Sequence, residues 1–139
     1  MSKRVISVVA ALIRDDSGRV LLVRKRGTAA FMQPGGKRDA GESDIAALSR
    51  EIVEELGCRV NQRTARAVGV FECEAANEPG FHVRAAVYAV DVQGTIDPKA
   101  EIDQVVWVDP DALPDLHFAP LTRDHVLPLA SRRRAAGAV

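Results

Sequence analysis

Hydrophobic and polar positions alternate along the chain in two rhythms. Val5 to Ile13 and Val20 to Val23 are nearly continuous apolar runs rich in β-branched residues. The intervening Asp15-Asp16-Ser17-Gly18 is turn chemistry, so the pattern predicts an antiparallel hairpin. The rhythm lapses after Arg24-Lys25-Arg26-Gly27 and stays lost through Gln33-Pro34-Gly35-Gly36, where a proline and paired glycines predict a loop. From Ser43 to Leu56 the spacing becomes helical, with Ser43 placed to cap the start and Gly57 to end it. Ala65 to Glu74 and Val83 to Val92 read as strands joined by a loop over Ala76-Asn77-Glu78-Pro79-Gly80, and Gln104 to Val108 as a short last strand. Leu121 to Ala136 reads as a helix that Pro128 kinks or shortens. Strands outnumbering two helices predict a mixed α/β (α+β) domain with helices packed against the sheet.

Composition narrows this picture. A chain of 139 residues is the size of one domain, expected to span 1–139. Nineteen basic residues balance nineteen acidic ones, so no broad field attracts a nucleic acid polymer or a membrane surface, and charge selectivity has to be local. A small polar substrate fits that balance better. The basic start and apolar run to Ile13 imitate a signal peptide, but Arg14-Asp15-Asp16 follows without a small-residue cleavage pattern, and a buried strand is the better reading. Cys58 and Cys73 form neither a disulfide framework nor a metal-ligand spacing, which suggests a reducing, cytoplasmic setting. No apolar run is long enough to cross a bilayer.

The helix from Ser43 raises the chemical question. At about 100° per residue, Ile45, Leu48, Ile52 and Leu56 gather on a core side while Arg50, Glu51, Glu54 and Glu55 fan across the other. Charged residues ordinarily cover the wet side of such a helix. Here, however, like charges crowd near the negative end of the helix dipole, where anions are disfavoured. A hard divalent cation such as Mg²⁺ or Mn²⁺ would compensate, since it takes oxygen ligands and leaves positions open for water and phosphate oxygens.

At these positions the chain resembles the Nudix hydrolases, whose signature is G-x5-E-x7-R-E-U-x-E-E-x-G-U with U a bulky aliphatic residue. Gly36, Glu42, Arg50, Glu51, Ile52, Glu54, Glu55 and Gly57 stand in register with it. The box covers residues 36–58, and only Cys58 departs from it, as a small hydrophobe where a larger one is usual. The flanking strands and last helix agree with a whole Nudix domain. The resemblance implies a mixed sheet between helices, an α/β/α sandwich.

It also implies site roles, carried over residue by residue. Glu54 and Glu55 are the leading metal ligands, with the Gly36 carbonyl as a further one. Glu51 is either another ligand or the base that acts on the attacking water. Glu42 and Arg50 support the site, through loop tethering and a forked salt bridge. Glu101, six residues before Trp107, is the expected carboxylate from outside the box, with Asp103 as the substitute. Lys37 and Arg24 are the expected phosphate contacts. The terminal Arg132-Arg133-Arg134 reads as a solvated tail. The implied reaction is Mg²⁺-dependent attack of water on a diphosphate linkage of a nucleoside diphosphate joined to a group X.

Markers of particular substrates are mostly missing. Glu74 stands where ADP-ribose-cleaving relatives tend to carry proline, and no tyrosine of the dinucleoside polyphosphate kind occurs there. Small size and the Glu101 spacing favour a nucleoside triphosphate or a modified one such as 8-oxo-dGTP. Phe31, Phe71, Phe81 and Phe118 could stack on a base, although core packing is the better reading of each. Rival readings are a Nudix-fold regulator that binds nucleotide without cleaving it, a prenyl diphosphate isomerase and an RNA 5′-end hydrolase. An intact set of box carboxylates, the absent additional motifs and the balanced charge weigh against them in turn. A homodimer is left open.

Overall fold

A computed structural model describes residues 4–75 and 78–131. Seven strands and two helical segments follow one another as β1 (Arg4–Leu12), β2 (Val20–Lys25), β3 (Phe31–Met32), β4 (Gly35–Lys37), α1 (Asp44–Leu56), β5 (Arg59–Glu74), β6 (Phe81–Gln93), β7 (Ile102–Val108), a π-helical turn (Thr122–Val126) and α2 (Leu127–Ala130). The strands form two sheets, one in the order β4-β1-β6-β5 and the other β3-β2-β7. No helix among the described residues is long and apolar enough to cross a membrane.

The predicted hairpin is therefore corrected. Its turn exists, with the Asp15 carboxylate accepting from the Ser17 and Arg19 N–H groups, but backbone pairing of the two runs is confined to that end, to an Arg14–Val20 bridge and the Leu21 N–H donating to the Ile13 carbonyl. Beyond it they part into different sheets. β1 runs antiparallel to β4 and parallel to β6, while β2 lies antiparallel to β3 and β7. Their nearly unbroken apolar runs explain this, because a strand buried on both faces belongs in the interior of a sheet with a partner on each side. Each strand supplies both sides of a common layer. Val9, Ala11, Leu21 and Val23 pack towards α1, and Ala10, Leu12, Val20 and Leu22 towards the C-terminal helical segment. The layer between two helical flanks is the expected α/β/α arrangement.

Segment 31–37, expected to be a loop, instead crosses from one sheet to the other as β3 and β4. Gly35 permits the close approach: with φ at 150°, it lies so near β1 that an added Cβ would stand 2.1 Å from the Val9 carbonyl oxygen. β5 and β6 extend past their expected ends into a long antiparallel pair with two register shifts. The C-terminal helix is interrupted, as Pro128 predicts. Its ring cannot accommodate the carbonyl four residues back, and the chain widens into the π turn, where the Leu127 N–H reaches the Thr122 carbonyl. Residues 76–77 of the expected loop, the helix continuation to Ala136 and the Arg132–Arg134 tail lie outside the described residues.

Candidate active site

Where β1 and β2 diverge, segment 31–37 and the residues before the π turn enclose a cleft of about 390 Å³, a volume suited to a small molecule. Helix α1 supplies its acidic wall. Local sequence fixes this helix at both ends: the Ser43 hydroxyl accepts from the Ala46 N–H at 3.1 Å, and Gly57, left-handed at φ 70°, donates its N–H to the Val53 carbonyl. Two further C-terminal carbonyls are covered by the loop before β7, where Lys99 N–H donates to Glu55 and Asp97 N–H to Leu56. That contact holds Glu101 over the end of the helix.

Glu55 is buried, only 3% exposed, against the expectation that it shares the wet face with Glu54. Its Oε1 accepts from the Gly35 N–H at 2.9 Å. Burial pushes its carboxyl up to about 8, with Glu51 and Glu101 adding to the rise and the Gly35 hydrogen bond and Lys25 opposing it. Glu51 packs so tightly on Gly36 that a Cβ there would lie 2.5 Å from its carboxyl carbon. Burial raises its pKa as well, despite a 2.9 Å hydrogen bond from Arg50. Glu54, by contrast, is 58% exposed, 3.9 Å from Arg50, and does not line the cleft.

Arg50 straps the loop to the helix. Its Nε and Nη2 fork onto the two carboxylate oxygens of Glu42, each at 2.9 Å, and Nη2 also reaches the Lys37 carbonyl at 3.1 Å. The Asp39 N–H donates to Glu42 at 2.7 Å. The Arg50 hydrogen bonds, aided by Asp39, hold the Glu42 carboxyl down to about 2. Across the cleft Lys25 Nζ stands 3.6 Å from Glu101 Oε1, and Lys37 lines the same cavity.

Among the described residues, no three His, Cys, Asp or Glu side chains are grouped tightly enough to hold a metal ion as they stand. Glu51 is turned onto Arg50, Glu55 onto the Gly35 amide, and Glu54 outward. The donor chemistry still fits a hard divalent cation, since every available group is an oxygen and the bare Gly36 α-carbon brings the backbone against Glu51. A buried carboxylate that holds its proton near neutrality is also one that a cation stabilises as the anion.

Arg24, expected as a phosphate contact, does not line the cleft. Alternation along β2 sends it to the other face, where its guanidinium lies 5.3 Å from the Phe31 ring centroid and Nε donates to Asp103 at 3.3 Å. Its neighbour Lys25 lines the cleft instead, a placement that counting on from Leu21 and Val23 would have given. None of the four phenylalanines lines the cleft. Phe31 is core, Phe71 stacks on His125, Phe81 lies under Arg4, and Phe118 packs against the core. Gln33, unremarked in the sequence, is in the cleft wall and 5% exposed, and it accepts from the Thr122 hydroxyl at 2.7 Å.

Comparison with known proteins agrees with this architecture. The 8-oxo-dGTP diphosphatase of Haemophilus influenzae is 43% identical over 61 residues, 41% of this chain and 45% of that protein. Among solved structures, the Escherichia coli ORF135 protein superposes with a TM-score of 0.70 at 30% identity, covering 98% of this chain and 93% of the other. The MutT NUDIX hydrolase from Burkholderia pseudomallei gives 0.73 at 27%, covering 92% and 96%. The matched segments span 27% to 66% of the lengths of the curated relatives. The NUDIX domain model matches residues 3–130, and the chain belongs to that family.

Proposed function

We propose that the chain is a Mg²⁺-dependent pyrophosphohydrolase that cleaves a diphosphate linkage in a nucleoside triphosphate, or in a modified one such as 8-oxo-dGTP. The observation that carries this is the convergence of Glu51, the buried Glu55 and Glu101 with Lys25 and Lys37 around one cleft. Anionic and cationic groups are thus paired where a polyphosphate and its counter-ion need both. Glu51, Glu55 and Glu101, with the Gly36 carbonyl, would hold Mg²⁺ or Mn²⁺, and the exposed Glu54 would join them by turning towards the cleft; the cation supplies activation of a water and neutralisation of phosphate charge. Lys25 and Lys37 hold phosphate oxygens, Glu51 or Glu101 receives the proton of the attacking water, and the Glu42–Arg50 strap keeps β4 and its loop on the helix. The name of the Haemophilus relative points to the same substrate class.

A panel of nucleoside triphosphates, 8-oxo-dGTP and other nucleoside diphosphate derivatives, incubated with the purified chain and Mg²⁺, tests the reading. Equimolar nucleoside monophosphate and pyrophosphate are the expected products. Tight nucleotide binding with no turnover of any compound would make the chain a binding module instead.

A further inference from the structure

The acidic end of the cleft accounts for phosphate and cation and says nothing of the base. Away from it the lining includes an aliphatic patch of Ile6, Val8 and Val83 with Pro120 and Leu121, bordered by Cys73, Glu74 and Glu78. Into this lining is set the amide of Gln33. The Thr122 hydroxyl, itself fully buried, donates to Gln33 Oε1. Gln33 Nε2 is left buried with no hydrogen-bond partner, the one such side-chain atom among the described residues. Buried donors are nearly always paired, and a methionine would fill the same volume with no orphan. The amide thus retains a donor that finds no acceptor among the described residues.

We infer that Gln33 reads the nucleobase: its Nε2 donates to a carbonyl oxygen of a 6-oxopurine or a 4-oxopyrimidine bound on the aliphatic patch. The inference rests on the nucleotide-hydrolase reading of the same cleft and assigns its specificity. Thr122 is the positioning residue. By occupying Oε1 it fixes which end of the amide is presented, and a base offering an amino group there meets a donor with a donor. Such a mismatch leaves two buried polar groups unpaired and is rejected strongly. The π turn contributes because Thr122 is its first residue, set opposite Gln33.

The test compares dITP with dATP and dUTP with dCTP, pairs that carry a carbonyl or an amino group at the corresponding ring position. Binding of dIMP and dAMP by calorimetry without metal gives a readout independent of turnover. The wild-type chain is expected to favour the carbonyl member by about tenfold or more in kcat/KM and in Kd. Gln33→Met should bring both ratios to within about threefold, and Thr122→Val should shrink them by freeing the amide to turn over, while Thr122→Ser keeps them. No preference in the wild type, a preference for the amino members, or ratios that survive both Gln33→Met and Thr122→Val would each overturn the inference. Should no nucleotide be hydrolysed, a carbonyl preference in monophosphate binding still upholds it and only the hydrolase reading falls. No hydrolysis together with no binding of either monophosphate would remove both.

Discussion

The two helical flanks of the molecule are built to opposite standards. Helix α1 is regular for 13 residues and capped at both ends by its own sequence, whereas the C-terminal segment opens into a π turn and then makes a single α-helical turn with Pro128 inside it. The regular helix carries like charges that repel one another, and it is strapped down by Arg50 and by the loop before β7. The irregular one faces an aliphatic wall and contributes one hydroxyl to the cleft amide. The difference shows that precision of backbone is placed where charge has to be held against charge, while a segment that meets the cleft through Pro120 and Leu121 tolerates a distorted helix.

Substitutions on α1 should break that contrast most severely. Glu54→Gln removes anionic charge from an exposed position; kcat/KM should fall by about a thousandfold or more with the melting temperature nearly unchanged. Equal activity in the two proteins would release Glu54 from the site. On the core side of the same helix Ile52 is wholly buried, and Ile52→Asp should cost about 3 kcal/mol or more in denaturant unfolding. Val53, at the boundary of the apolar side, is 49% exposed, so Val53→Asp should cost roughly half a kcal/mol. The remaining effect is a slope, not a single value. Burial holds the Glu55 carboxyl up at about 8 in the folded chain against the ordinary 4.5 when unfolded, so the folded chain binds the extra proton between those values and is stabilised by it at low pH. That contribution is lost as pH rises through 8. The melting temperature of the metal-free protein should therefore drift downward from about pH 5 to pH 8, and Glu55→Gln should flatten the drift.

What was legible in the sequence was local. Ser43, Gly57 and the spacing of Leu48, Ile52 and Leu56 define α1 within one stretch of chain, and the helix occupies the predicted residues. Cys58 is buried beside it as a small hydrophobe should be. Pairing of β1 with β6 rather than β2 depends on residues 77 positions away, from Arg4 opposite Phe81 to Leu12 opposite Ala89, which no neighbouring pattern encodes. β3 and β4 have two and three residues, too few to show a period. The box placed Glu51 and Glu55 on one helix, but the burial of Glu55 arises only once Gly35 folds over it. Lys25 was within reach by strand alternation and Gln33 was not, since its meaning lies in Thr122, 89 positions on.

Gly35 and Gly36, adjacent in sequence, differ in what obstructs them: backbone of β1 in the first case, the movable end of the Glu51 side chain in the second. A randomised library sorted only for soluble, folded chains should return glycine at position 35 and admit alanine or serine at 36. The same library sorted for turnover should return glycine at both, and the gap between the two sorts would separate the fold's demand on this pair from that of the chemistry.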